Sequence, residues 1–308
     1  MRIPQPIPYQ GSKRNIARII ISFFPREFDT LVEPFAGSAA VSLAAAAYGR
    51  AHKFHLNDIN EPLMELWKVI INNPMEIANR YEELWKAQKG REKEFYFYIR
   101  DEFNKKHRPD YFLFLLARCV KASIRYNSKG EFNQSPDNRR KGRHHKKMRE
   151  DIFIASNLLR GRTILTSKDY KIILDEIKKP DLVYMDPPYQ GVCTGRDPRY
   201  YMGINFEEFV KQLEKLNKKK IAFILSYDGR KGEKKYGNDL PQELDLYRVE
   251  ICAGPSAQST LLGKHEYTYE SLYLSKELLD RLEEPIEEIV KSVTPRKTTQ
   301  LKIQIGGN

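Results

Sequence analysis

The sequence is poor in the residues that would tie a chain together covalently. Its 308 residues include three cysteines, Cys119, Cys193 and Cys252, odd in number and widely spaced. That spacing fits neither a disulfide framework nor a zinc site, so the thiols are expected to be reduced. His144-His145 lacks cysteine or acidic partners, and no metal is expected. Long apolar runs are missing too, which argues against a membrane-spanning helix. The opening MRIPQPIPYQGSKR has no apolar core of a secretory signal. The expectation is a soluble, cytoplasmic protein with no membrane partner. Carboxylates are in deficit: 41 Asp+Glu against 53 Lys+Arg leave +12. A basic surface favours polyanions, nucleic acid before anionic membrane. Half of the excess lies in residues 125–150, which hold nine Lys/Arg and three Asp/Glu.

At 41% hydrophobic residues the chain can bury a sizeable core. Its length allows one large domain, or a core domain with a smaller insertion. Short apolar runs alternate with helical stretches. TLVEPFAG (30–37) is a strand that stops at glycine and leads into the helix former SAAVSLAAAAYG. KFHLND (53–58) is a second strand, followed by a helix over 61–71. GRTILT (161–166), DLVYMD (181–186) and IAFILSYD (221–228) follow, and LYRVEICA (246–253) with TYESLYLS (268–275) reads as a late hairpin-like pair. This alternation predicts an α/β fold with a largely parallel sheet. From 62 to 158 the rhythm breaks into helices over 75–89, 91–106 and 111–123. A polar, basic stretch (125–147) follows, broken by Gly130, Pro136 and Gly142. The predicted division is therefore a core of 1–61 and 159–292, an inserted lobe of 62–158, and a tail of 293–308.

Open α/β sheets bind ligands at the carboxyl ends of their strands. Three such ends carry polar sequence here: EPFAG (33–37), Asn57-Asp58 and Asp186-Pro187-Pro188-Tyr189. Two successive prolines cannot donate to a ladder and fix φ, so they end a strand stiffly. Pro187 also biases Asp186 towards extended backbone. The exit holds a carboxylate, two carbonyls and an aromatic ring in fixed relation. An exocyclic amine such as N6 of adenine needs such a setting, because its lone pair is delocalised into the ring. A carboxylate and a carbonyl can each accept one N–H and stabilise charge developing on the nitrogen. The Tyr189 ring can stack on a base that has left the helix. A bare Asp-Pro is also an ordinary turn; the apolar DLVYM before it argues against that. At EPFAG, Gly37 permits a tight turn into a helix N-terminus, although a packed strand–helix turn has the same sequence. Asp58 is placed either to accept from ribose hydroxyls, as in dinucleotide folds, or to cap the next helix.

In this order the residues resemble the Dam-like (D12 class) DNA adenine-N6 methyltransferases. YQGSK (9–13) is similar to that family's N-terminal cofactor motif, and EPFAGS (33–38) to its methionine-binding loop. Asn57-Asp58 looks like its ribose acid, KDY (168–170) like its acid–aromatic pair beside the cofactor adenine, and DPPY like its catalytic motif. RYNSKGEFN (125–133) resembles its recognition hairpin. The resemblance spans residues 7 to about 275. It implies a Rossmann-like methyltransferase sheet with an inserted, mainly helical target-recognition lobe containing a β-hairpin. It implies S-adenosyl-L-methionine held by Tyr9, Gly11, Lys13, Glu33, Pro34, Phe35, Ala36, Gly37, Asp58, Asp169, Tyr170 and Asp186. The target adenine would meet Asp186, Pro187, Pro188 and Tyr189. Double-stranded DNA would meet Arg125, Asn127, Lys129, Phe132 and Asn133 of the hairpin.

The neighbouring Arg139, Arg140, Lys141, Arg143, Lys146 and Lys147 can neutralise phosphates and release counterions. Arg125 and Asn133 are the better candidates for base edges. Two positions depart from the family: Ser12 replaces a more frequent glycine, and Ala39 stands where a further glycine is often seen. The continuation QSPDNRRKGRHHKK is unlike that of GATC readers, so GATC specificity is not implied. The expected protein is a monomer that flips an adenine and methylates it directly, without a covalent enzyme intermediate. A separate restriction endonuclease sharing the site is the partner expected in a restriction–modification system. The alternatives are an amine methyltransferase for RNA adenine, cytosine N4 or a protein amide, and a non-catalytic DNA-binding protein. Asp186 favours adenine over cytosine N4 or an amide; the acids at 33, 58, 169 and 186 argue against the non-catalytic reading.

Overall fold

The computed structural model describes residues 2–188, 204–231, 234–236, 239–255 and 267–293. Tyr189, Cys193, the 258–263 loop and the tail beyond Val293 lie outside the described residues.

Eight strands form one sheet: β1 (Thr30–Glu33), β2 (Lys53–Asn57), β3 (Thr163–Thr166), β4 (Leu182–Met185), β5 (Ala222–Lys231), β6 (Lys234–Tyr236), β7 (Tyr247–Pro255) and β8 (Tyr267–Leu274). Their order is β3-β2-β1-β4-β5-β8-β7, with β6 paired to β5. The pairs from β3 to β5 are parallel. β8 runs antiparallel to both β5 and β7. The largely parallel α/β sheet and the late antiparallel pair are those expected from the sequence, and the architecture is Rossmann-like.

Parallel strands covered on both faces read as continuous apolar runs, and LVYM (182–185) is buried at every position. Alternation then sorts the side chains. Leu182 and Tyr184 join one core cluster with Leu31, Leu56, Ile224 and Leu272, while Val183 and Met185 join another with Val32, Phe223 and Leu225.

The helices are α1 (Ala17–Ser22), α2 (Ala40–Ala47), α3 (Glu61–Asn72), α4 (Pro74–Ala87), α5 (Glu92–Lys106), α6 (Pro109–Arg118), α7 (His145–Leu159), α8 (Tyr170–Glu176), α9 (Phe206–Lys218), α10 (Lys276–Leu279) and α11 (Ile286–Val293). α3 starts where sequence rules place it: the Asn60 side chain accepts from the Leu63 N–H and Pro62 sits in the first turn. Its buried stripe, Leu63, Leu66, Trp67, Ile70 and Ile71, has helical spacing. α8 and α9 lie against the second cluster through Ile173, Phe209 and Leu213. α3 to α7 pack on the first cluster, whose apolar contacts run without a break from Leu31 and Phe54 to Tyr96 and Phe112.

Two expectations shift. The helix expected over 111–123 ends at Arg118, because Cys119 is extended and Lys121 and Ala122 are left-handed. The stretch expected to be irregular to 147 becomes helical at His145, with the His144 ring accepting from the Lys146 N–H. The rings of His144 and His145 pack against Trp85. Among the described residues, no helix is long and apolar enough to cross a membrane.

Candidate active site and nucleic-acid interface

The chain passes outward from β1 to β2 and β3, then returns to the other side of β1 at β4. At such a reversal the connections diverge and leave a crevice beyond the strand ends. A cavity of about 260 Å³ lies there. Its wall brings together every cofactor residue expected from the sequence: Tyr9, Gly11, Lys13, Glu33, Pro34, Phe35, Ala36, Gly37, Asp58, Asp169, Tyr170 and Asp186. Pro187 and Pro188 line it as well.

Hydrogen bonds fix the loops around the cavity. Asn57 donates to the Pro34 and Lys168 carbonyls, and its Oδ1 accepts from the Lys168 N–H, clasping three strand ends together. Gly37 has φ +48°, and a Cβ there would come within 3.1 Å of the Tyr9 ring. Its N–H donates to Asp58 Oδ2 at 3.0 Å and its carbonyl accepts from the Trp67 indole at 2.9 Å. Asp58 Oδ1 accepts from the Asn60 N–H at 3.0 Å. Asp58 thus ties the β1 loop to the entry of α3 while still facing the cavity; burial raises its pKa above the ordinary carboxylate value. Asp169 likewise has two faces, since it lines the cavity and caps α8 by accepting from the Lys171 N–H at 2.8 Å.

One end of the cavity is aromatic. The Phe35 and Tyr170 rings lie 5.1 Å apart, and Phe209 packs behind both. The Tyr170 hydroxyl is buried with no hydrogen-bond partner, and burial pushes its pKa up to about 12. The other end is acidic. Glu33 is buried and accepts from the Ser42 N–H in α2 at 2.7 Å. Burial pushes Glu33 up to about 8; the Ser42 hydrogen bonds oppose this and the Asp186 charge adds to it.

Lys13, expected to meet the cofactor, lines the cavity and also pairs with Asp186. Its Nζ is 2.8 Å from Asp186 Oδ1 and 3.8 Å from Glu270 Oε2 on β8. Burial opposes its charge, yet the two carboxylates hold the ammonium and raise its pKa. Asp186 is pushed up to about 6 by burial, with Lys13 pulling it down and Glu270 adding to the rise. Glu270 was missed in the sequence. Its signal is a carboxylate at the position that alternates with apolar Leu272 and Leu274, both buried. Ser12 and Ser38, whose hydroxyls bond each other at 2.8 Å, and Tyr184 also line the cavity and were missed. Tyr227 is buried and stacks on Phe209, a packing role.

The 125–133 segment is a hairpin with Tyr126 bridged to Phe132. The Asn127 and Asn133 N–H groups donate to the Glu131 and Arg125 carbonyls, and Gly130 turns with φ +76°. Asn127 shapes the turn: its Oδ1 accepts from the Lys129 and Glu131 N–H groups. Phe132 corrects an expectation. It is 1% exposed, edge-on to Phe103, Phe112 and Tyr126, so it anchors the hairpin in the core and offers DNA no face. Lys129 and Asn133 are exposed and Arg125 is half-buried. Ile124, just before the hairpin, lines the cavity, and the Tyr126 hydroxyl bonds Asn60 at the head of α3. The hairpin segment and the cavity are therefore in direct contact.

Of the basic cluster, Arg139 and Arg140 are outward, 77% and 67% exposed, and steadied by Asp137. Lys141 pairs with Glu92, Lys147 pairs with Glu150, and Lys146 is exposed. Arg143 is a second correction: it turns inward onto Asp151, which is fully buried.

Fold and cavity together define an α/β protein with a cavity at its switch point, beside a carboxylate on a proline-stiffened strand end. The D12 class N6 adenine-specific DNA methyltransferase family matches residues 9–252, and this chain belongs to that family. It is similar to the Type II methyltransferase M.MjaIII of Methanocaldococcus jannaschii, 28% identical over 249 residues, 73% of this chain and 84% of that protein. It also resembles the DNA N-6-adenine-methyltransferase of Escherichia phage P1, 26% identical over 234 residues. That match covers 73% of this chain but 28% of the phage protein. The Retron Ec67 DNA adenine methylase of Escherichia coli is 31% identical over 171 residues, 54% of this chain and 56% of that one.

Proposed function

We propose that this chain transfers a methyl group from S-adenosylmethionine to N6 of an adenine flipped out of double-stranded DNA, acting as a monomer in the cytoplasm. The observation that carries the reading is the position of Asp186: it ends β4 at the cavity rim, with a buried ammonium as its partner. The donor fits the residues present. An aromatic end with an unpartnered hydroxyl suits an adenine, and the acidic side suits ribose hydroxyls and a cationic amino-acid end. Phe35 and Tyr170 would take the base, Asp58 the ribose, and Glu33 the cationic part. When bound, the cofactor supplies an electrophilic methyl group on a positively charged sulfur.

The chain's part is orientation and charge. Asp186 and the Pro187 carbonyl each accept one N–H of the target amine, which aligns its lone pair. As positive charge develops on N6, the ionised Asp186 stabilises it. A carboxyl lifted to about 6 also takes a proton more readily than an ordinary one. Tyr189, expected to stack on the base, lies outside the described residues. Residues 62–158 serve as the target-recognition lobe, with Arg125 and Asn133 towards base edges and Arg139, Arg140 and Lys146 towards phosphates. A restriction endonuclease sharing the site is the expected partner where the chain serves a restriction–modification system.

The test is expression in a host lacking adenine methylation, with modified-base sequencing of the DNA beside an Asp186→Ala control. N6-methyladenine at one recurring motif, absent in the control, is the expected result. An unmodified genome from soluble, folded protein would overturn it.

A further inference from the structure

Lys13 is almost enclosed, 6% exposed, and faces two carboxylates with one charge. Asp186 and Glu270 reach it from strands that are not neighbours, since β5 lies between β4 and β8. The antiparallel course of β8 makes this meeting. It places Glu270 opposite Gly229, near the carboxyl end of β5, whereas Leu274 pairs with Ile224 deeper in the sheet. In a parallel strand an early residue would lie at the far edge, away from the cavity. Among the described residues, the titratable groups facing Asp186 are Lys13 from the N-terminal segment, Glu270 from β8, Tyr184 from β4 and Glu33 from β1. Of these Lys13 alone is cationic. The Tyr184 hydroxyl is occupied by Ser226 at 2.8 Å.

We propose that Glu270 is a positioning residue of the active site: it shares the Lys13 ammonium with Asp186, so that Lys13 neutralises Asp186 without capturing it and leaves Oδ2 to accept the amine N–H. This rests on the methyltransferase reading for its consequence, but the arrangement itself is a property of the free protein. A cation with a single carboxylate partner concentrates its hydrogen bonds there, and the carboxylate becomes a weaker acceptor for anything else. A second carboxylate draws part of that field away and adds negative potential at Asp186. Both effects keep Asp186 basic enough to stabilise the charge that develops on the amine.

The test needs no substrate. The Asp186 carboxyl carbon is followed by NMR titration in the free protein, assigned by its loss in Asp186→Asn. In Glu270→Gln the midpoint should fall by roughly half a pH unit or more, because a like charge is removed from a shared site. In Lys13→Met it should rise, and in Glu270→Asp it should return towards the unaltered protein. With DNA and cofactor, Glu270→Gln should lower kcat several-fold and move its acid limb to lower pH, with cofactor affinity by calorimetry unchanged. An unmoved midpoint in Glu270→Gln sinks the proposal. If that variant does not fold, the same midpoint in Lys13→Met decides, and a value unchanged or lowered there also sinks it. The reading of the site fails separately, if Asp186→Ala still methylates DNA.

Discussion

Glu33 shows how one side chain can cost stability while lining the cavity. It is buried against α2, and burial lifts its pKa from 4.5 to about 8. A group whose folded pKa is raised binds its proton more tightly in the folded state. Its stabilising share is complete below about 4.5 and is lost as pH rises through about 8. Glu33→Gln removes that dependence while an amide oxygen still accepts the Ser42 N–H. At pH 8 the ligand-free variant should be more stable by about 4 kcal/mol, the gap closing towards pH 4.5. Thermal denaturation across that window measures it. Cofactor affinity should fall in the same variant, because the cationic end loses its acidic partner; a gain in stability with affinity unchanged would remove Glu33 from the site. At this scale the sequence disclosed which residues meet, because DPPY, EPFAG and ND are short-range patterns tied to strand ends. It did not disclose which atoms pair. Lys13, read as a cofactor contact, is also the counter-ion of Asp186; Phe132 looked like a DNA contact and is core. Pairing depends on approaches between distant strands, which local patterns do not encode.

The elements were read more fully, since a strand such as β4 is an apolar run buried at every position and a long helix such as α3 has a regular stripe. The failures sit where a distant bond overrides periodicity. α6 stops at Arg118 so that Ala122, left-handed at φ 51°, can offer its carbonyl to the Gln10 N–H at 3.0 Å. The loop after β1 gives a test of such local constraint. Gly37 and Gly49 both have positive φ, +48° and +66°, but a methyl at Gly37 meets the Tyr9 ring and one at Gly49 meets open space. Alanine at either position should cost about 1 kcal/mol for the left-handed backbone. Gly37→Ala alone should also weaken cofactor binding, because Tyr9 must move from the cavity wall. Calorimetric titration of the two variants separates strain from displacement: equal affinities would mean that Tyr9 does not contribute to the site.

For the whole molecule, net charge and the arrangement of charge give different forecasts. The excess of +12 promises affinity for polyanions, and residues 125–150 carry half of it. The fold spends those cations unequally. Arg139 and Arg140 are more than half exposed and Lys146 is exposed, whereas Arg143 is pinned to the enclosed Asp151. Counting charge treats all four alike; their surroundings do not. Each cation that neutralises a phosphate adds about 0.9 to the slope of log affinity against log salt. Replacing Arg139, Arg140 and Lys146 together by Gln should therefore lower that slope for a non-specific duplex by about 2–3, with the melting temperature little changed. Arg143→Gln should do the reverse. It strips one partner from a buried carboxylate, which Arg2 also holds, and should cost about 1–3 kcal/mol while leaving the slope within error. Fluorescence anisotropy over a salt series, beside thermal melts, measures both. If the triple variant keeps the full slope, the phosphates are met by another face, and residues 62–158 lose their claim as the DNA-binding lobe.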